Sequence, residues 1–391
     1  MDTQQLDDLT VALNASPLVS REASCRLSVT PEIWLDAPST ALGELAHDLG
    51  VSTRSIRHAR ECARSAHHLA ASERARARDV GGAIVTRHSP HYPVELLDLD
   101  LPPPVLYVLG HLPRRPAISI VGSRKADPYA IEVAEKFAGE LAVAGLTVVS
   151  GLALGVDSAA HQGALAVGGQ TVAVLGCGID IDYPRGNRRL RARMAESGAI
   201  VTEFPIGTAP EPYNFPIRNR IIAALGCGTL VVRGTLRSGS LITAGCALTL
   251  GRLVWAIPGN ILDPRSMGPN SLIRDGAHPA QTSGELLETL PTAVQQQLEA
   301  ASASAGALGN GAGEPLAAPG ETAPNRSDLA KLFHSIPAGE TADASALLES
   351  TALGLDEVLS LLVELEIMGF LTRYPGPVWG RSGSPPRPDR E

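Results

Sequence analysis

The stretch SGLALGVDSAAHQGAL, Ser150 to Leu165, starts where one short apolar run ends (LTVVSG, 146–151) and stops just before another (QTVAVLG, 170–176). A run of strand length, a glycine-rich turn and a series of helix formers together read as one strand–turn–helix unit. The unit recurs on both sides. AISIVGS (117–123) precedes a helix over 128–144, LTVVSG one over 155–168, and QTVAVLG one over 187–197. AIVTEFP (199–205) precedes a helix over 216–225, GTLVVRG (228–234) one over 239–250, and LVWAIPG (253–259) closes the series. This alternation predicts βαβ crossovers. The fold class is therefore α/β, a Rossmann-like, mostly parallel sheet flanked by helices, with ligands at the carboxyl ends of the strands.

The other segments are arranged around this domain, taken as 81–290. Residues 1–80 read as a small helical SAM-like or helix-hairpin domain, from LDDLTVALNA, ALGELAHDLG and STRSIRHARECARSAHHLAASERARA. Ser52 or Thr53 can cap the third of these helices. LAHDLGVSTRSIRHARE has a helix-turn-helix outline, which often means only two packed helices. GGAIVTR (81–87) is the first strand candidate, and HYPVELLDLDLPPPVLYVLG (91–110) reads as a proline-stiffened connector. Residues 291–325, rich in Ala, Gly, Ser and Pro, read as a flexible linker. Residues 326–381 read as a C-terminal winged-helix-like domain, three helices and a short strand pair. The proline-rich tail 382–391 reads as disordered.

Five cysteines (Cys25, Cys62, Cys177, Cys227, Cys246) lack paired spacing, which argues against a disulfide framework or a zinc ribbon and suits a reducing cytoplasm. No secretory leader is recognised, and no apolar run reaches the roughly 18 residues of a membrane span. The net charge of -8 is unevenly spread: residues 114–280 hold 17 Lys/Arg against 12 Asp/Glu, whereas both flanks are acidic. An anionic ligand belongs in the central domain.

The candidate binding residues lie in the turns after the strands. VGSRK supplies Gly122, Ser123, Arg124 and Lys125; the alternative there is an ordinary strand-to-helix turn with a surface arginine. In SGLALGVDSAAH, Gly151 and Gly155 keep the backbone close to a ligand at a helix start. Asp157 reads as a cap or an arginine partner, and His161 as either a ligand or, more ordinarily, a core histidine. GCGIDIDYPRGNRR (176–189) offers Arg185 and Asn187, with Tyr183 either stacking on a base or packing on Pro184. FPIRNR offers Arg218, Asn219 and Arg220. Positions i and i+2 of a helix do not face each other, so one arginine can meet phosphate while the other anchors Glu203 or Asp157. RSGSLITAG adds Arg237, Ser238, Gly239 and Ser240. No serine has a nucleophile-elbow context, and Asp180 and Asp182 have no accompanying phosphate-loop lysine. No catalytic residue, metal or cofactor is therefore expected.

YPVELL with PPPVLYVLG, VGSR, SGLALGVDSAAHQGAL, GGQTVAVLGCGIDIDYPRGN, TEFPIG, FPIRNRII, SGSLITAG, AIPGN and GPNSLIRDGA, in this order from about 91 to 277, resemble the bacterial DNA-processing protein A (Smf) family of natural transformation. The resemblance implies a non-enzymatic, homodimeric mediator that binds and protects single-stranded DNA and loads the RecA recombinase, with single-stranded DNA-binding protein a further candidate partner. It implies a DNA contact at Arg124 and a glycine-rich turn at Gly151–Asp157. Many members carry Lys or Arg where this chain has Leu154, and often an acidic residue in place of Arg233. The acidic helix around 356–368 predicts a protein-contact or regulatory role for the C-terminal domain. Three rivals are weighed: a duplex-binding transcription factor, against which the acidic terminal helix and the lack of a basic reader argue, a free-nucleotide binding module, and a nucleoside-monophosphate-hydrolysing enzyme of related fold. The last carries a PGGxGTxxE-type segment, and its glutamate is absent from GCGTLVVRGTLRSG.

Overall fold

The structure is a computed structural model; it describes residues 1–308 and, beyond them, only Ile336, 341–343, Leu347, Val358, Leu362, 371–374 and 378–381. Two compact units divide the chain, Met1–Ser304 and Ala305–Glu391.

Six helices open the first unit: α1 (Thr3–Ala15), α2 (Arg21–Leu27), α3 (Pro31–Leu35), α4 (Leu42–Asp48), α5 (Thr53–Arg64) and α6 (Ala66–Asp79). Ser52 is the cap of α5, accepting from the Ser55 amide at 3.0 Å. Leu9, Leu13, Leu27, Trp34 and Ile56 form the core of this layer. The chain then enters the sheet through β1 (Gly82–Thr86) and β2 (Val105–Gly110).

The alternating domain follows as β3 (Ala117–Val121), α7 (Pro128–Val143), β4 (Thr147–Ser150), α8 (Val156–Ala166), β5 (Thr171–Val174), α9 (Arg188–Ser197), β6 (Ala199–Thr202), α10 (Asn214–Leu225), β7 (Gly228–Val231), α11 (Gly239–Thr249) and β8 (Leu253–Ala256). It ends with α12 (Met267–Arg274), a two-residue β9 (His278–Pro279), α13 (Ser283–Glu288) and α14 (Thr292–Leu308). The strand order is β1-β2-β6-β5-β4-β3-β7-β8-β9. Pairing is parallel from β6 through β9, and antiparallel for β1–β2 and β2–β6.

Alternate strand residues serve opposite layers, as the pleat requires. Val148 and Leu230 pack with Phe137, Leu141 and Trp255 on the α7–α8 side. Their neighbours Val149 and Val231 pack with Ile221, Ile222 and Ala244 on the α10–α11 side. Burial on both faces is why these strands appear in the sequence as unbroken apolar runs.

The segment 91–110 is corrected. It holds a 3-10 turn (Val94–Asp98) and then β2, which pairs with both β1 and β6. Prolines 102–104 stand before the strand and cost it no ladder donor, so VLYVLG pairs freely. Likewise α14 fills the first part of the stretch read as a linker. In the second unit, β10 (Thr341–Asp343), β11 (Leu371–Tyr374) and β12 (Val378–Arg381) form an antiparallel sheet of order β10-β12-β11. The winged-helix helices and the tail 382–391 lie outside the described residues, apart from Leu347, Val358 and Leu362.

Helices α7 and α8 cross at glycines. A Cβ on Gly163 would fall 2.2 Å from the Glu135 carbonyl oxygen, which belongs to a rigid helix. Gly163→Ala is expected to cost about 1–3 kcal/mol by overpacking this crossing, measured by urea unfolding.

Candidate nucleic-acid interface

The direction of chain progression reverses between β3 and β7. From β3 the parallel series runs one way through β4, β5 and β6, and the other way through β7 and β8. The turns after β3 and β7 therefore diverge and leave a crevice at the carboxyl ends of the strands. A cleft of about 710 Å³ lies there, lined by Gly122–Lys125, Asp157, Tyr183, Phe215, Arg218, Asn219, Ser238 and Gly239, among others. A smaller cavity of about 260 Å³ adjoins it, sharing Arg124, Lys125, Tyr183, Phe215 and Arg218, and adding Gly151 and Leu154.

Close backbone packing shapes the rim. Gly155 has φ +85°, and a Cβ there would fall 2.4 Å from the Ser123 carbonyl oxygen, which itself accepts from the Val156 amide at 3.2 Å. The turn after β4 thus seats against the turn after β3, and only glycine permits it. Helices α8, α10 and α11 all begin beside the cleft, so amides of their first turns and their positive dipole ends face it.

The floor is Arg218, which is only 3% exposed. Its Nη1 donates to the Gly151 carbonyl oxygen at 2.8 Å and to that of Val174. Burial pushes its pKa down to about 10, against the opposing pull of Asp157, so it stays charged at neutral pH. Burial likewise raises the Asp157 pKa, with Arg218 countering. A Cβ on Gly151 would lie 2.5 Å from the Arg218 guanidinium, so this glycine makes room for the arginine.

Above this floor, Tyr183 packs on Phe215 at 5.6 Å between ring centroids, and the Arg124 guanidinium lies 5.0 Å over the Phe215 ring. Tyr183 and, beyond it, Tyr213 are partly to largely exposed. Arg124 and Lys125 are exposed and form no ion pair among the described residues. Phe215 was not singled out in the sequence; it precedes Arg218 by three positions, and that spacing is the signal that places both on one helix side.

Several of the expected residues lie outside the cleft lining or are held by the protein itself. Arg220 is bound to buried Glu203 and to the Leu101 carbonyl oxygen, outside the cleft lining, which resolves the FPIRNR pair: Arg218 faces the cleft and Arg220 is an anchor. Asn187 is buried, donating to the Leu152 carbonyl oxygen and Ser158 Oγ at 2.8 Å each, so it braces the turn from within. Ser240 is buried against Ser238, 2.8 Å between hydroxyl oxygens. Arg185 and Arg237 are exposed in the same turns as Tyr183 and Ser238, outside the cleft lining. Arg233 is neutralised by Asp127 at 2.9 Å and by Asp263, so it adds no free charge. Asn219 donates to the Gly239 carbonyl oxygen at 3.2 Å and ties α10 to the start of α11.

His161 is fully buried. Thr171 Oγ1 donates to the Val148 carbonyl oxygen, so His161 Nδ1 is the donor to Thr171 Oγ1 at 2.7 Å, in a neutral ring. Among the described residues no group of three or more His, Cys, Asp or Glu could hold a metal ion, and no helix is long and apolar enough to cross a membrane.

Two measurements separate scaffold from surface. Arg220→Ala leaves the buried Glu203 carboxylate with only its longer pair to Arg21 at 3.7 Å and is expected to cost about 2–3 kcal/mol in urea unfolding, whereas Arg124→Ala changes stability by under about 1 kcal/mol. Burial and the nearby Arg218 push the His161 pKa down to about 3 from 6.5. The unfolded chain then takes up the proton first. Stability is full above pH 6.5 and falls towards pH 3 by about 1.4 kcal/mol per unit. His161→Gln is expected to remove about 2–3 kcal/mol of the difference in unfolding free energy between pH 7 and about pH 4.5.

A family model described as DNA recombination-mediator protein A matches residues 83–291. Protein Smf of Escherichia coli (strain K12) is 38% identical over 299 residues, 75% of this chain and 76% of the relative. DNA processing protein DprA of Streptococcus pneumoniae is 42% identical over 196 residues, 50% of this chain and 69% of the relative. The X-ray structure of DNA processing protein A from Streptococcus pneumoniae matches with a TM-score of 0.63 at 32% identity, covering 73% of this chain and 98% of that one. With a sheet, a crevice and a sequence of this kind, the chain belongs to the DNA recombination-mediator protein A family, the DprA/Smf proteins.

Proposed function

We propose that the crevice binds single-stranded DNA without sequence preference, and that the protein protects such strands and loads the RecA recombinase on them during natural transformation. The observation that carries the DNA reading is the row Tyr183–Phe215–Arg124 over the buried Arg218 charge. Single strands expose π faces and spaced phosphates together. Stacked aromatics with cations beside them match both, at roughly 1–3 kcal/mol per stacked base. Membership in a family of recombination mediators supports the RecA step. In this reading Gly122, Ser123, Arg124, Lys125, Ser238 and Gly239 meet the backbone, Tyr183 takes a base, and Arg185 and Arg237 extend the cationic path. Arg218 holds the floor as a positioning residue. Leu154 puts an apolar group into the smaller cavity, so that cavity is lined for a base or sugar more than for a phosphate.

The homodimer is proposed through apolar residues exposed within 225–290, among them Leu248, Ile261 and Leu262. Ile261 and Leu262 are 83% and 85% exposed in one loop, and residues of this kind signal an interface. Leu262→Glu is expected to shift the protein from dimer to monomer in analytical ultracentrifugation. The second unit, whose expected helix around 356–368 is acidic, is proposed as a winged-helix-like module for protein contact, single-stranded DNA-binding protein being one candidate.

The DNA reading is tested by fluorescence anisotropy with labelled dT oligomers of increasing length, beside AMP, over a salt series. Affinity is expected to rise with length and fall with salt. Arg124→Ala and Tyr183→Ala are each expected to weaken dT binding by about tenfold or more. Saturable AMP binding with no length dependence for dT would sink this reading in favour of a free-nucleotide module.

A further inference from the structure

Helix α5 carries charge that the crevice does not use. It packs Ile56, Ala59 and Cys62 inward with the other N-terminal helices. The turn from α4 is tight, with Gly50 at φ +61°. The outer side presents Arg54, Arg57, Glu61 and Arg64, all exposed and spaced as one helical stripe. Several other arginines of this layer are held: Arg60 by the Trp34 and Ala37 carbonyl oxygens, Arg74 by Asp8, Arg76 by Glu73. Arg54, Arg57 and Arg64 have no side-chain hydrogen bond or ion pair among the described residues.

We infer that this stripe of α5 is a second DNA contact, for the backbone of a duplex, separate from the single-strand crevice. Three observations select the occupant. The stripe offers cations with no aromatic residue among them, so it suits phosphates but gives unstacked bases no platform. The second helix of a helix-turn-helix is the one that meets a duplex, and α5 is that helix after α4. From Arg54 to Arg64 the stripe runs about 15 Å, some four base-pair steps of a duplex. The helical layer is also fixed at the carboxyl end of β6. Asn14 donates to the Glu203 carbonyl oxygen at 3.2 Å, and Arg76 to that of Ile206 at 2.9 Å. The layer that carries α5 is thus joined to the sheet at its carboxyl edge, the edge at which the crevice opens.

The test titrates full-length protein with a labelled blunt duplex and a dT oligomer of equal length over a salt series. The triple variant Arg54→Glu, Arg57→Glu, Arg64→Glu is expected to bind duplex at least about tenfold more weakly. Its log–log salt slope should flatten by about 2.7, the share of three phosphates, with dT binding changed less than about twofold. Glu61→Lys completes the stripe and is expected to tighten duplex binding and steepen the slope by about 1, a gain that misfolding cannot mimic. Duplex affinity unchanged in either variant overturns the inference, and so does equal loss of dT and duplex binding in the triple variant. Failure of the crevice reading is distinguishable, since it shows in Arg124→Ala with dT and leaves the α5 variants unaffected.

Discussion

The guanidinium of Arg218 bridges the Gly151 carbonyl oxygen just past β4 and the Val174 carbonyl oxygen at the end of β5, and the crevice depends on that bridge. Ladder pairing between the two strands ends at Ser150 and Ala173. Beyond it the chains part into separate turns, so the Gly151 and Val174 carbonyl oxygens need another donor. Arg218 reaches them from α10. A buried cation is tolerated because those two acceptors and the Asp157 carboxylate surround it. The bridge also sets the rotation of α10. Phe215, three positions earlier, is thereby turned into the cleft, where it meets Tyr183 on one side and Arg124 on another. Loss of the bridge would disturb the aromatic row without touching it directly.

The glycines around this point answer to protein atoms before they answer to any ligand. Gly151 leaves space for Arg218, and Gly155 for the Ser123 carbonyl oxygen. Their presence in a turn at a strand end is legible in the sequence as closeness of backbone, but what approaches is not. The same limit applies to the fold. β3 to β8 are legible because burial on both faces leaves unbroken apolar runs with helices between them. β2 is obscured because Pro102–Pro104 suggest a loop, although a proline excludes a strand only where its own amide is needed.

Charge is the quantity that sequence counting overstates. The central domain is rich in arginine, yet several of these arginines are internal fasteners. Arg191 donates to the Ile179 and Ile181 carbonyl oxygens, and Arg252 to those of Ala224 and Gly226 at the end of α10. Arg220 is matched by Glu203 and Arg233 by two aspartates. Guanidinium groups suit this work because their planar array of donors satisfies several carbonyl oxygens at once. In the turns at the carboxyl edge of the sheet, Arg124, Lys125, Arg185 and Arg237 are exposed and without a side-chain hydrogen bond or ion pair among the described residues. A whole-chain charge of -8 is then no obstacle to polyanion binding. Salt screens charges more than about 8–10 Å from a phosphate, whereas Arg124 and Lys125 line the crevice itself. In the proposed reading, affinity for a strand is set by that local arrangement and not by the whole-chain charge.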